Sequence, residues 1–195
     1  MNQSKESTRP DRREFVSTLI KATPDALIVT GLGSASYDVF AAGDRDQNYY
    51  LWGAMGGAAP LGLGLALAQP ERPVIVITGD GEQLMGIGSL ATIAVKQPRN
   101  LTIVVLDNGH FGETGMQRSH SSLGADLVAV AKGFGIAHAQ SFDRLEACQQ
   151  LAKTINARQQ TAFAQVFIAA DEPPRVLPPR DGPFVKNRFR SALRA

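Results

Sequence analysis

The sequence contains a single cysteine, Cys148, among 195 residues. One cysteine excludes a disulfide framework within the chain, a four-cysteine zinc site and an iron–sulfur cluster held by cysteines of this chain. Long hydrophobic runs are also lacking, because no apolar stretch reaches the roughly 18 residues that a membrane-spanning helix needs. We therefore expect Cys148 to be an ordinary buried or boundary residue of a protein that does not span a membrane.

An excess of charge of one sign is absent as well, since 20 Lys and Arg are balanced by 18 Asp and Glu, for a net charge of +2. Nucleic-acid binding through bulk electrostatic attraction is therefore not expected. The first thirteen residues are polar and charged, without the apolar core of a signal peptide. With 44% apolar residues, the chain is predicted to be a soluble, cytoplasmic protein with one sizeable core.

Short apolar runs rich in β-branched residues alternate with helical patterns along most of the chain. This alternation predicts an α/β fold, a single doubly wound domain with a mainly parallel sheet covered on both faces. Strands are predicted at 26–30, 74–78, 101–106, 136–139 and 162–169, and helices at 12–22, after 34, at 61–68, near 89–95, at 126–133 and at 143–157. Segments 48–60 and 109–124 are interpreted as irregular.

The two ends of the chain differ from the middle in composition. Residues 1–11 are interpreted as a disordered leader because they are rich in Ser, Lys, Glu and Arg. Residues 12–170 form the predicted domain, and 171–195 a basic C-terminal arm whose prolines are expected to prevent regular structure. The arm is either a solvated tail or a segment that wraps a partner subunit.

Two oxygen-bearing side chains follow two predicted strands. Asp80 lies in Gly79-Asp80-Gly81 after strand 74–78, and Asn108 follows strand 101–106. Open α/β sheets bind ligands at the carboxyl ends of their strands. A carboxylate, an amide oxygen and the backbone carbonyl near His110 suit Mg²⁺, and the glycines allow close approach of a phosphate. The alternative is that both motifs are plain turns.

The paired motifs resemble the thiamine diphosphate motif of the 2-oxoacid decarboxylase and acetolactate synthase superfamily, in which an Asn-Gly pair follows Gly-Asp-Gly at this spacing. The resemblance implies a diphosphate-binding (PP-type) domain of the thiamine diphosphate-binding fold. It also implies thiamine diphosphate and Mg²⁺ as cofactors. The implied metal ligands are Asp80, Asn108 and the His110 backbone carbonyl, and the implied cofactor contacts include Gly79, Asp80, Gly81, Asn108 and His110.

A second motif, Trp52 to Ala58, places an apolar side chain between glycines. Met55 stands 25 positions before Asp80. In the resembled family, a bulky apolar residue at this distance holds the cofactor in a V shape, and the carbonyl two residues earlier, here Gly53, accepts a hydrogen bond from the aminopyrimidine. The alternative is a core methionine in a glycine turn.

The loop Phe111 to Gln117 leaves the predicted metal site and is a candidate lining for a substrate pocket. Glu113 and His110 are the candidate catalytic residues, Glu113 as an acid or base if desolvation shifts its pKa. The alternatives are that Glu113 is a solvated loop carboxylate and that His110 and His120 are structural.

A narrower resemblance is to the two-chain decarboxylases for sulfopyruvate and phosphonopyruvate, carried by Asn48 to Gly56, Leu61 to Ala68 and Gly112 to Gln117. It covers residues 12–170 and implies a beta subunit that binds the diphosphate end. The implied reaction turns a small, sulfonated or phosphonated 2-oxoacid into an aldehyde and CO₂. For such an anion the candidate anchors are Arg45, Arg118, His110 and His120.

Enzymes of this kind also need a pyrimidine-binding domain, whose glutamate activates the cofactor. A chain of 195 residues has room for one such domain, so we expect the glutamate on a pyrimidine-binding alpha subunit of a hetero-oligomer. Alternative functions are a subunit of a carboligating or oxidoreductase thiamine enzyme, although electron transfer usually needs cluster cysteines, and a non-catalytic assembly subunit of the same fold.

One position departs from the resembled pattern. Many family members have a small residue after Gly-Asp-Gly, where it can touch phosphate, whereas Glu82 occupies it here. Because a carboxylate is repelled by a diphosphate, we expect Glu82 to turn away or to contact metal-bound water.

Overall fold

A computed structural model describes residues 9–194. Most of the predicted leader therefore lies outside the described residues. The helices are α1 (Arg12–Ala22), α2 (Ser34–Ala41), α3 (Ala58–Ala68), α4 (Asp80–Met85), α5 (Ser89–Lys96), α6 (Leu127–Phe134), α7 (Ala147–Ala157) and α8 (Gly182–Ala192). The strands are β1 (Leu27–Thr30), β2 (Asn48–Tyr50), β3 (Val74–Gly79), β4 (Leu101–Asp107), β5 (His110–Phe111), β6 (Gln117–Arg118), β7 (His138–Phe142) and β8 (Ala162–Phe167).

Six of these strands form one sheet in the order β2-β1-β3-β4-β8-β7, and every neighbouring pair is parallel. The predicted fold class is therefore confirmed. The central strands β3 and β4 are almost wholly buried, which explains their continuous apolar runs. Their register pairs Gly79 with Leu106, so the residues that follow both strands emerge side by side at one edge of the sheet.

Helices cover both faces of the sheet. Helices α1, α2 and α7 pack on one face, where Phe15 and Leu19 are fully buried. Helices α3, α5 and α6 pack on the other face, around Leu90 and Leu127. Asp126 accepts a hydrogen bond from Ala129 N at 2.9 Å and caps α6.

The expectation of no regular structure after residue 170 is wrong for residues 182–192, which form α8. Pro183 lies in the first turn of this helix, where a backbone N–H has no intrahelical partner in any case. Asp181 caps the helix by accepting from Phe184 N at 3.0 Å. Val185 and Phe189 are buried against the rest of the chain. The segment therefore packs on its own domain through α8.

Other boundaries also differ from the sequence-based expectation. The segment 48–60 is not irregular throughout, because β2 adds an edge strand and α3 begins at Ala58. The segment 109–124 contains the small antiparallel pair β5–β6. Helix α4 was not predicted, because Gly81 has a low helix propensity and Asp80 is typical of a turn. Strand β7 begins two residues later than expected, and α7 begins at Ala147.

Candidate functional site

The ends of β3 and β4 open onto a cavity of about 250 Å³. Asp80, the first residue of α4, lies on its wall and is only 2% exposed. Asn108, immediately after β4, lies on the same wall. The cavity is also lined by most of the other residues singled out in the sequence, namely Met55, Gly79, Gly81, His110 and Glu113. The register of the two central strands thus brings residues 28 positions apart into one site.

Asp80 is a buried carboxylate that faces hydroxyl groups and a second acid. Ser119 Oγ donates to Asp80 Oδ2, and Ser121 Oγ lies 3.1 Å from the same oxygen. Burial raises the pKa of Asp80, the nearby charge of Asp107 raises it further, and the two serines oppose the rise. A bound cation would offset both unfavourable effects on the ionised carboxylate.

Asp107 fixes the turn that carries Asn108. Its Oδ1 accepts from Gly109 N at 2.8 Å, and its Oδ2 accepts from Gln165 Nε2 at 2.6 Å. Gly109 adopts a φ of 72°, a left-handed conformation that favours glycine. The Asp-Asn-Gly sequence therefore forms a turn, but one that is anchored in the core rather than a plain surface turn.

Asn108 and His110 are joined by two hydrogen bonds. His110 N donates to Asn108 Oδ1 at 3.0 Å, and His110 Nδ1 lies 2.8 Å from the Asn108 carbonyl oxygen. Because a carbonyl oxygen only accepts, Nδ1 carries the proton, which leaves Nε2 as the nitrogen able to accept one. The amide oxygen of Asn108 retains a second lone pair for a cation.

Met55 stands in a loop that lines the cavity and packs against α4. This Met55 loop, residues 51–57, turns through left-handed glycines, with φ of 74° at Gly53 and 87° at Gly56. Met55 is 41% exposed and therefore is not the core methionine of the alternative interpretation. A Cβ on Gly81 would lie 3.8 Å from Met55 Cε and 2.7 Å from the ring of Phe111. Gly81 thus leaves space between these two apolar side chains.

Glu113 lines the cavity, but its ion-pair partner, Arg175, does not. Its Oε2 lies 3.1 Å from Arg175 Nη2, and its side chain is 41% exposed. The desolvation required for an acid or base role is therefore incomplete in this chain alone. His120 packs edge-on against Phe111, with ring centroids 6.0 Å apart.

Two of the candidate anion anchors lie elsewhere. Arg45 donates to the carbonyls of Pro24 and Ala26 at 2.9 and 3.2 Å, at the amino end of β1, and is excluded as an anchor in this cavity. Arg118 bonds to Ser122 on the surface. The sequence pattern instead missed Arg12, which lines the cavity and is 4% exposed. The helical periodicity of α1 gave no signal for it, because Arg12 lies at the helix start.

Glu82 lines the same cavity as Asp80, and hydrogen bonds within the protein hold its carboxylate. The carboxylate accepts from Thr78 Oγ1 at 2.8 Å and from Gly56 N at 3.3 Å. Burial raises its pKa, and hydrogen bonding from Thr78 and nearby backbone amides opposes that shift. Both expectations for Glu82, that it turns away from the diphosphate or that it contacts metal-bound water, stay predictions.

The donor set fits a hard cation. Asp80 and Asn108 present oxygen atoms at the same wall of the cavity, and neither Cys nor a His cluster accompanies them. Within residues 9–194, no three His, Cys, Asp or Glu side chains group in a way that could hold a metal. A single carboxylate with amide and carbonyl oxygens leaves room for phosphate oxygens and water, as Mg²⁺ requires. Across the same residues, no helix combines the length and apolar character that a bilayer crossing requires.

Comparison with known proteins agrees with this geometry. Residues 32–166 match the family model of the thiamine pyrophosphate enzyme, C-terminal TPP binding domain. The chain is 47% identical over 130 residues to a phosphonopyruvate decarboxylase of Streptomyces viridochromogenes, covering 66% of this chain and 32% of that protein. It is 33% identical over 189 residues to the sulfopyruvate decarboxylase subunit beta of Methanococcus maripaludis, covering 94% of this chain and 97% of the relative.

Among solved structures, a thiamine diphosphate-dependent 4-hydroxybenzoylformate decarboxylase of Rhodococcus jostii RHA1 has a TM-score of 0.71. It is 22% identical, covering 89% of this chain and 35% of that one, so the likeness concerns the fold. A doubly wound sheet with a cavity at the carboxyl ends of its central strands is typical of a cofactor-binding domain. The chain belongs to the family of thiamine pyrophosphate enzymes, as their C-terminal TPP-binding domain, and its cofactor is thiamine diphosphate.

Proposed function

We propose that this chain is the diphosphate-binding subunit of a heteromeric, thiamine diphosphate-dependent decarboxylase of a small 2-oxoacid. The observation that carries the proposal is the meeting of Asp80, Asn108 and Met55 at one cavity of about 250 Å³ at the carboxyl edge of the sheet. The sulfopyruvate and phosphonopyruvate decarboxylases to which the chain is similar support the reaction class.

The residues of this chain bind and orient the cofactor. Asp80, Asn108 and the His110 backbone carbonyl are proposed to hold Mg²⁺, and Gly79 and Gly81 to admit the diphosphate. Met55 and the Gly53 carbonyl are proposed to position the ring system. When bound, the thiazolium ring supplies the nucleophilic carbon and the electron sink that loss of CO₂ from a 2-oxoacid requires.

The chain spans only about a third of the phosphonopyruvate decarboxylase but nearly all of the subunit beta relative. We therefore propose a pyrimidine-binding alpha subunit that supplies the activating glutamate. The two glutamates that line the cavity in residues 9–194 support this view, because Glu82 is engaged by backbone amides and Glu113 by Arg175. Exposed apolar side chains near the cavity, Met55 and Leu32, suit a protein interface.

The substrate is proposed to carry a second anionic group, a sulfonate or phosphonate. Arg12 is the one arginine among the cavity-lining residues that the structure describes, and no lysine lines the cavity there. It is a candidate cationic anchor of this chain, and His110, which also lines the cavity, is a second candidate anchor. Glu113 and His110 remain the candidate catalytic residues.

The test is to assay this chain with and without the product of the adjacent gene. Decarboxylation of sulfopyruvate or phosphonopyruvate, with release of the free aldehyde, is expected only from the mixture with thiamine diphosphate and Mg²⁺. Turnover by this chain alone would contradict the heteromeric proposal. An acetolactate-type product from the mixture would instead identify a carboligating enzyme.

A further inference from the structure

The carboxylate of Glu82 is buried where several hydrogen-bond donors converge. The residue is 4% exposed. Thr78 Oγ1 donates to Oε2 at 2.8 Å, and Gly56 N donates to Oε1 at 3.3 Å. The backbone amides of Leu32 and Ala58 lie near enough to this carboxylate to lower its pKa. An apolar side chain at this position would leave Thr78 Oγ1 and Gly56 N without this acceptor.

These groups come from four separate segments of the chain. Thr78 belongs to β3, Leu32 to the β1–α2 turn, residues 31–33, and Gly56 to the Met55 loop. Ala58 is the first residue of α3, whose N-cap residue makes no side-chain capping bond. The Glu82 carboxylate, on another helix, lies beside this α3 N-terminus. Its own helix, α4, begins with Asp80, so one carboxylate links the Asp80 helix to the Met55 loop and packs against the β1–α2 turn.

The packing around this carboxylate is close. A Cβ on Gly31 would lie 1.4 Å from Glu82 Oε2, so the β1–α2 turn approaches the carboxylate at a distance that only glycine permits. Gly31 and Glu82 are therefore complementary in shape, although they are 51 positions apart.

We propose that Glu82 is a positioning residue of the cofactor site. It holds the Met55 loop and the β1–α2 turn at a set distance from Asp80, so that the metal-binding and ring-binding walls of the cavity are aligned before the cofactor enters. This role replaces the phosphate contact that a small residue would make at this position. The proposal concerns the shape of the chain without ligand, and it rests on the proposed function only for its effect on cofactor affinity.

The decisive variant is Glu82→Gln, which keeps the volume but replaces one acceptor oxygen by an NH₂ donor. Hydrogen exchange on the full chain without ligand should show the Gly56 amide exchanging at least about tenfold faster, because a lost hydrogen bond of about 1.5 kcal/mol is worth that factor. The nearby amides of Leu32 and Ala58 are expected to change in the same direction. Amides of β3 and β4 should keep their protection. Glu146→Gln, at an exposed side chain, is the matched control and should leave both sets of amides exchanging at the wild-type rate.

Calorimetric titration with thiamine diphosphate and Mg²⁺ then compares the cofactor affinity of Glu82→Gln with that of wild type. We expect the variant to bind about tenfold more weakly or worse. Unchanged exchange at the three amides, or equal affinities of wild type and Glu82→Gln, would overturn the positioning role. Failure of the folded wild-type chain to bind the cofactor would contradict the proposed function instead. The exchange result would still decide whether Glu82 holds the Met55 loop and the β1–α2 turn in place.

A second pair of variants guards against misfolding of Glu82→Gln. Gly31→Ala alone should lower the Tm, because its methyl group collides with the carboxylate. Adding Glu82→Ala should recover much of that loss by making room for the methyl group. The double variant should nevertheless show fast exchange at Gly56 and weak cofactor binding. Wild-type affinity in the folded double variant would refute the proposal.

Discussion

Arg12 Nε donates to Asp38 Oδ2 at 2.7 Å, and both side chains are almost fully buried. The bond joins the first residue of α1 to α2, beside the cavity that Asp80 and Asn108 line. Burial raises the pKa of Asp38, and the Arg12 guanidinium opposes that rise. The pair therefore anchors the first helix and places the Arg12 side chain at the cavity wall.

Removing the cation of this pair should destabilise the fold. Arg12→Ala leaves the Asp38 carboxylate buried, which costs about 3–5 kcal/mol in the free energy of unfolding. Arg13, whose Nε lies 3.5 Å from Asp38 Oδ1, keeps the loss toward the lower end. Urea denaturation measures this change in the free energy of unfolding. The control Arg144→Ala, in an ion pair that is 81% exposed on the arginine side, should match wild type. Equal stability of the two variants would contradict the role of the pair.

Asp80→Asn should abolish the charge that attracts Mg²⁺ while keeping the side-chain shape. We expect affinity for thiamine diphosphate with Mg²⁺ to fall by roughly a hundredfold, because the amide oxygen is a weaker ligand for a hard cation. Calorimetric titration measures this. Asp143→Asn, at a side chain that is 70% exposed, is the matched control. Undiminished binding by Asp80→Asn would remove Asp80 from the metal site.

The same carboxylate should make the stability of the ligand-free chain depend on pH. Because the pKa of Asp80 is raised above 3.8 by burial and by Asp107, its protonated form is favoured in the folded state. Its contribution to stability is complete below the unfolded-state pKa and is lost as pH rises through the folded-state pKa.

Wild type should therefore lose stability relative to Asp80→Asn as pH rises through this range, measured by urea denaturation at a series of pH values without Mg²⁺. The comparison cancels the titration of other groups that both chains share. A difference that does not change with pH would contradict the assigned shift. Cofactor affinity should change in the opposite direction and weaken as pH falls, because Mg²⁺ requires the ionised form.

Cys148 should be unreactive in the folded protein. It is 1% exposed, and burial raises the pKa of its thiol to about 12, so it stays protonated at pH 8. A thiol reagent is expected to modify one group per chain only after denaturant is added. Rapid modification of the native chain at pH 8 would show that α7 opens far more readily than its packing indicates.

Helix α8 should contribute to stability through one of its faces. Phe189 is 6% exposed and packs against Tyr49 with ring centroids 5.4 Å apart. Phe189→Ala should cost about 3–5 kcal/mol in the free energy of unfolding. Phe184→Ala on the same helix, at a side chain that is 50% exposed, should cost much less. Similar losses for the two variants in a denaturant titration would contradict the packing of α8.

Much of the fold follows from local patterns. The β-branched runs 74–78 and 101–106 indicate central parallel strands because such strands need apolar residues on both faces. Helix α4 escaped prediction because its six residues include Gly81 and begin with residues typical of a turn. Helix α8 is not predicted from the sequence because the prolines of this segment indicate broken regular structure, although Pro183 occupies the first turn of the helix, where proline is tolerated.

Local patterns are enough to predict that Asp80 and Asn108 follow central strands and that Met55 lies in a glycine-rich loop, because strand patterns and motif spacing are short-range properties of the chain. The approach of Arg12 to the cavity, the hydrogen bond of Ser119 to Asp80 and that of Gly56 N to Glu82 arise only in the folded chain. Such contacts join residues 26 or more positions apart, and their geometry is set by how helices pack on the sheet, which no local pattern encodes.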